Sequence, residues 1–171
     1  MLHLKILVLG PEGTGKTTMI HRVARNSFSV EVNGKTVGLD FGVLRTDGLQ
    51  VHIFGCPGMR HFNLVRKALS VGTHGVVLVV DSTDAQSIIE GEAYLRDIFG
   101  ANVPPFVVAA NKQDQAGALS PQEIQQLLTT AAPVYPTSAQ RGDGLEALLR
   151  ALIQLLLRFG KGRDIASLQH A

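Results

Sequence analysis

Apolar residues along this chain gather in short runs that alternate with stretches of helical period. Residues 5–9, 76–80, 106–110 and the short pair 134–135 are nearly continuous apolar runs, the form taken by strands buried on both faces of a parallel sheet. Leu39, Phe41 and Val43, then Leu49, Val51 and Ile53, instead alternate with other residues around Asp47-Gly48, which predicts a hairpin and an antiparallel edge. Between the runs lie helices, the first ending near Asn26. Another opens on Ser120-Pro121-Gln122-Glu123, a capping box with proline in the first turn, ahead of Ile124, Leu127 and Leu128. Leu145, Leu148, Leu149, Leu152 and Leu156 form a helical stripe behind an expected N-cap at Asp143, with Gly160 as its stop, and read as core packing. Strands alternating with helices predict an α/β fold with helices on both faces of the sheet. After Gly160 the pattern turns polar and aperiodic, so the expected division is one domain over 1–160 and a loosely ordered tail over 161–171.

Composition narrows the class. The 171 residues suit one core, and 45% hydrophobic against 18% charged residues, with a mean hydropathy of +0.17, argue for a packed interior rather than disorder. A net charge of +2 without a basic cluster gives no footprint for nucleic acid. The single cysteine, Cys56, excludes an internal disulfide and predicts a reducing, cytoplasmic setting, where an isolated loop cysteine is expected to be inert. Neither a signal peptide, a membrane-length apolar run nor a lipidation motif is legible, so no intrinsic membrane anchor is expected.

The chemistry begins where the first strand ends. Gly10-Pro11-Glu12-Gly13-Thr14-Gly15-Lys16-Thr17 matches G-x-x-x-x-G-K-[ST] between a strand and a helix. Glycines let successive N–H groups and the helix N-terminus face phosphates; Lys16 would pair the β- and γ-phosphates and Thr17 would bind Mg²⁺. Glu12, Gly13, Thr14, Gly15, Lys16, Thr17 and Thr18 are therefore the expected phosphate-side residues. Base selection falls to Asn111-Lys112-Gln113-Asp114, at the carboxyl edge of a later strand. A carboxylate at Asp114 accepts N1–H and N2–H of guanine, a pairing adenine cannot reproduce; Lys112 would lie along the base plane and Asn111 would brace the loop.

With these motifs the sequence resembles the Ras-like small GTPases over residues 1 to about 159, and within them the Arf-like branch or the bacterial MglA-type proteins, by the acidic P-loop residue and the Val79-Val80-Asp81-Ser82 segment. The resemblance implies a P-loop NTPase G domain with a six-stranded, mostly parallel sheet and one antiparallel edge strand. It implies GTP/GDP and Mg²⁺ as cofactors, with slow or partner-assisted hydrolysis. Thr137-Ser138-Ala139 is similar to the last guanine motif of the family, Ala139 offering its N–H to guanine O6 beside Ser138. Thr36, in Thr36-Val37-Gly38-Leu39-Asp40-Phe41, resembles the switch I threonine that binds Mg²⁺ and senses the γ-phosphate. Effectors or an activating protein, such as a Roadblock-type dimer, would dock on switch I around Phe41 and on switch II around Met59, Phe62 and Val65, apolar residues that core packing would explain equally well.

The third motif departs from the family pattern. Where D-x-x-G-Q is expected, the chain reads Gly55-Cys56-Pro57-Gly58-Met59. Gly58 is kept, and its N–H would contact the γ-phosphate. The missing carboxylate at Gly55 predicts looser Mg²⁺ binding or a substitute, for which Asp40 is a candidate. Met59 cannot orient a water as glutamine does, so intrinsic turnover should be slow; a binding-only pseudo-GTPase is the alternative. Arg60 and Arg66 read as a solvated helix face, with an arginine finger in cis as the other reading, and His61 as a surface histidine, with a neutral imidazole orienting water as the other reading.

Overall fold

The computed structural model describes residues 1–24, 26–32, 35–46, 48–58 and 63–160, with backbone alone at 26, 28–32, 35–38 and 63. Strand β1 (Leu2–Leu9) runs into helix α1 (Lys16–Val23); β2 (Asn26–Val32), β3 (Lys35–Thr46) and β4 (Leu49–Gly55) follow, then α2 (Asn63–Ser70). From there strands and helices alternate: β5 (Gly75–Asp81), α3 (Ala85–Phe99), β6 (Phe106–Asn111), α4 (Pro121–Leu127), β7 (Val134–Pro136) and α5 (Leu145–Gly160).

These strands form one sheet in the order β2-β3-β4-β1-β5-β6-β7. Strands β4, β1, β5, β6 and β7 are parallel to one another. Strand β3 is antiparallel to both β4 and β2, so it alone runs against the rest. The α/β class and the flanking helices stand as expected, but the strand count is corrected from six to seven, and the antiparallel strand lies one place inside the edge. The extra strand is β2, which starts at Asn26, where the sequence pattern ends the first helix, and covers a stretch to which that pattern assigns no element. Helix α1 stops at Val23, where Ala24 turns to extended angles (φ −105°, ψ 124°). Beyond it Phe28, Val30 and Val32 alternate with Ser27, Ser29 and Glu31, the two-residue period of a strand.

Because successive strand residues point to opposite faces, each strand feeds two cores. Leu4, Ile6 and Val8 pack with Val77 and Val79 beneath α1 and α5, while Leu7, Leu9, Val76, Leu78 and Val80 face α3 and α4. The α5 leucine stripe lies wholly inside the first core, and burying each such side chain is worth about 1.5–3 kcal/mol. Ser120 and Glu123 close the capping box of α4 from both sides, with Pro121 in the first turn. Two boundaries shift: α5 begins at Leu145 rather than after Asp143, whose backbone instead bridges to Ser138, and Gly160 is its last residue. The tail assigned to 161–171 lies outside the described residues. The parallel strands all end on one side, and the loops leaving β1, β6 and β7 meet there.

Candidate functional site

The first loop follows β1 directly. Gly15 sits at φ +100° as the N-cap of α1, and a side chain there would come within 2.3 Å of the Asn111 amide, so the loop requires glycine on two counts. The Thr14 hydroxyl donates to the Pro11 carbonyl at 3.0 Å, and the Lys16 ammonium donates to the same oxygen at 2.7 Å, drawing the loop into a ring above the helix N-terminus. The unpaired N–H groups of that first turn favour an anion. Lys16 is buried, and burial lowers its pKa to about 8, against the nearby Cys56, Asp40 and Glu12, with Arg66 adding to the lowering.

Asn111, the last residue of β6, ties three segments together. Its amide nitrogen donates to the Thr14 carbonyl at 2.8 Å, and its oxygen accepts the Ala139 N–H at 2.9 Å and the Thr137 hydroxyl at 3.2 Å. The bracing role expected for Asn111 is thus visible. The Ala139 N–H, expected to reach a guanine oxygen, is engaged by Asn111 in this conformation. After Asn111 the backbone turns through Lys112 at φ +67°, an unusual angle for a side-chain-bearing residue. The Lys112 ammonium forms an ion pair with Asp81 at 2.5 Å. Burial alone would raise the Asp81 pKa, but the bonds from Lys112 and Thr83 outweigh it and bring it below the ordinary carboxylate range. This pair was not anticipated; the aspartate of Val79 to Ser82 was its signal.

Asp114 is half-exposed, and a hydrogen bond from the Ser138 hydroxyl lowers its pKa, so it presents a carboxylate rather than an acid. Gly13, Gly15, Thr18, Asn111, Lys112, Asp114 and Ala139 line a single cleft of about 190 Å³. Three motifs separated along the chain therefore share one polar wall set, with the phosphate loop at one end and Asp114 at the other. A planar base with hydrogen-bond donors on its edge is what such a cleft can recognise.

The segments near the phosphate end hold the surprises. Gly58 lies against the phosphate loop: a Cβ there would stand 2.5 Å from the Glu12 nitrogen, and its carbonyl accepts the Tyr94 hydroxyl at 3.0 Å. Arg66, read as a solvated helix residue, is only 1% exposed, with its guanidinium 4.5 Å from the Tyr94 ring centroid. The reason is the inward turn of α2 against α3, which stacks the cation on an aromatic face. Met59, Arg60, His61 and Phe62 lie outside the described residues. Cys56 is buried and its thiol is pushed up to about 12 by burial, which fits an inert cysteine.

Thr36 lies in β3, opposite Glu31 of β2. The β2–β3 ladder shifts register between this pair and the Val30–Leu39 pair. Beside Thr17 the structure places Asp40: the Thr17 hydroxyl donates to Asp40 Oδ2 at 2.5 Å, and Asp40 is buried. Asp40 is paired in register with Gly55 across the β3–β4 ladder. Among the described residues no group of three or more His, Cys, Asp or Glu gathers to hold a metal by itself. The oxygen pair of Thr17 and Asp40 suits Mg²⁺, a hard cation commonly held by one or two protein oxygens together with substrate phosphates. No helix among the described residues is long and apolar enough to cross a membrane.

Comparison with known proteins agrees with this geometry. The family model described as the ADP-ribosylation factor family matches residues 1–156. Human ADP-ribosylation factor-like protein 4A is 30% identical over 168 residues, covering 90% of this chain and 83% of its own length. Human ADP-ribosylation factor-like protein 4C is 29% identical over 170 residues, covering 91% and 88%. An uncharacterized protein of Methanocaldococcus jannaschii is 25% identical over 150 residues, covering 88% and 95%.

Proposed function

The chain belongs to the ADP-ribosylation factor family of small GTP-binding switch proteins, and from that premise we propose that it is a guanine-nucleotide switch with slow or partner-assisted hydrolysis. The observation that carries the reading is Asn111, which couples the phosphate loop through Thr14 to the base side through Ala139. Glu12, Gly13, Thr14, Gly15, Lys16, Thr17 and Thr18 would receive the phosphates. Asn111, Lys112, Asp114, Ser138 and Ala139 would receive guanine. In this assignment Asp114 accepts from the base edge, the Lys112 stem lines the base, and Lys16 and the α1 N-terminus neutralise phosphate charge.

Thr17 would hold Mg²⁺, which would supply positive charge against the phosphates. Thr36 sits in the β2–β3 hairpin in the present state, so its recruitment to the γ-phosphate would require that hairpin to rearrange. Gly58, already packed on the loop, is the second sensing point. Such an exchange of discrete arrangements is what a switch needs. Slow turnover follows from Met59, which offers no donor or strong acceptor to a water. Switch I and switch II would present the surface for an effector or an activating protein, with a Roadblock-type dimer one candidate, and the setting would be the cytoplasm.

The second reading, a pseudo-GTPase that holds nucleotide without turnover, is favoured by Gly55 and Met59 together. Single-turnover incubation separates the two. Nucleotide-stripped protein in excess over GTP, with Mg²⁺ and a Lys16→Ala control, should form GDP slowly in the wild type alone. GTP retained but uncleaved over many hours would favour the binding-only reading.

A further inference from the structure

We propose that Asp40 is the carboxylate of the Mg²⁺ site, taking over from the neighbouring strand the part that the sequence lacks at Gly55; the inference rests on the guanine-switch reading above. Three observations carry it. Asp40 and Gly55 are opposite partners in the β3–β4 ladder. A Cβ built on Gly55 would stand 2.8 Å from Ile20 Cδ1, 3.0 Å from the Asp40 Cβ and 3.3 Å from Asp40 Oδ2, so Asp40 and Ile20 together crowd the place a residue-55 side chain would start from. The Asp40 carboxylate accepts a hydrogen bond from the hydroxyl of Thr17, the loop residue that would ligate the metal.

The third contact supplies the mechanism. A hydroxyl that donates its proton to a carboxylate keeps its lone pairs for a cation and becomes a stronger ligand, as ligands hydrogen-bonded to carboxylates do at other metal sites. Asp40 is buried beside that oxygen, and a carboxylate there would add a hard oxygen donor's charge where a divalent cation would sit. Asp40 is a positioning residue acting through Thr17. Gly55 is the space its carboxylate requires. The two positions are alternatives: one site accommodates one carboxylate, from either strand.

Release of a fluorescent methylanthraniloyl-GDP, followed across a Mg²⁺ titration and in EDTA, tests this directly. The wild type should hold the nucleotide in millimolar Mg²⁺ and release it much faster in EDTA. Asp40→Asn, which keeps the shape and removes the charge, should shift the Mg²⁺ midpoint upward by about 10- to 100-fold, the range seen when outer-shell partners are lost. Mn²⁺ binding read by electron paramagnetic resonance should weaken in parallel, a change that a purely structural role would not produce. The exchange variant Asp40→Gly with Gly55→Asp should recover a Mg²⁺ midpoint within threefold of the wild type, and it carries the test if Asp40→Asn does not fold. An Asp40→Asn protein with an unchanged midpoint, or an exchange variant that folds without recovering it, overturns the inference alone. A folded wild type that retains no guanine nucleotide at any Mg²⁺ concentration overturns the switch reading and the inference together.

Discussion

The amide nitrogen of Asn111 holds the Thr14 carbonyl at 2.8 Å across 97 residues of sequence, joining the end of β6 to the loop after β1. That bond is buried, and its loss would leave the Thr14 carbonyl unpaired at a cost of about 1–3 kcal/mol. Asn111→Ala should lower thermal stability and also weaken guanine nucleotide binding by tenfold or more, because the base side and the phosphate side lose their common brace. Thermal melting and nucleotide titration of the same preparation check both effects.

Lys16 makes binding pH-dependent. Its pKa of about 8 in the folded protein lies below the ordinary 10.5, so between these values the unfolded chain keeps a proton that the native chain has shed. Native stability without nucleotide should therefore rise with pH through that window, as linkage requires when the unfolded state binds more protons. Phosphate needs the charged amine, so nucleotide binding above about pH 8 should take up a proton and weaken as pH rises. Calorimetry at pH 8.5 in buffers of different ionisation enthalpy should report that uptake, and Lys16→Met should abolish it.

Arg66 adds to the lowering of the Lys16 pKa. Arg66→Met retains an unbranched buried side chain and removes the charge, so the onset of proton uptake should move to higher pH. The same calorimetric series measures the shift, with melting of the variant as the control for folding.

Gly58 permits the close seat of switch II on the phosphate loop. A methyl group there would meet the Glu12 nitrogen at 2.5 Å and the Pro11 carbonyl carbon at 2.8 Å, both backbone atoms that cannot rotate away. Gly58→Ala should displace the segment and release the Tyr94 hydroxyl, with overpacking costs of about 1–3 kcal/mol. Amide exchange in α2 should quicken, and any preference for GTP over GDP should shrink.

What was legible in the sequence is what local chemistry dictates. The phosphate loop is contiguous, its glycines and lysine are fixed by backbone geometry, and it stands between a strand and a helix that the apolar pattern reveals. Asn111, Lys112 and Asp114 are equally local. Strand β2 carried a readable signal in Phe28, Val30 and Val32, but the helical reading ran up to its start. Asp40 beside Thr17 is a matter of register: two strands must pair with Asp40 opposite Gly55 before a residue 23 positions away reaches the loop. The burial of Arg66 likewise depends on Tyr94, a residue on another helix, and no linear pattern around Arg66 announces it. The brace from Asn111 to Ala139 belongs to the same class, set by how two loops meet after the sheet has formed.

The most direct test of the central claim is base selection at Asp114. Displacement of a fluorescent guanine nucleotide by GTP, ITP and ATP should be measured on the wild type and on Asp114→Ala. Inosine lacks the 2-amino donor, and adenine presents neither donor in the right place, so the wild type should rank GTP above ITP and ITP above ATP. The GTP–ATP gap should reach about 10⁴-fold, as sites built to pair substrate donors achieve. Asp114→Ala should collapse the ranking while remaining folded. ATP that displaces the probe as well as GTP does, with Asp114→Ala indistinguishable from the wild type, would contradict the guanine switch.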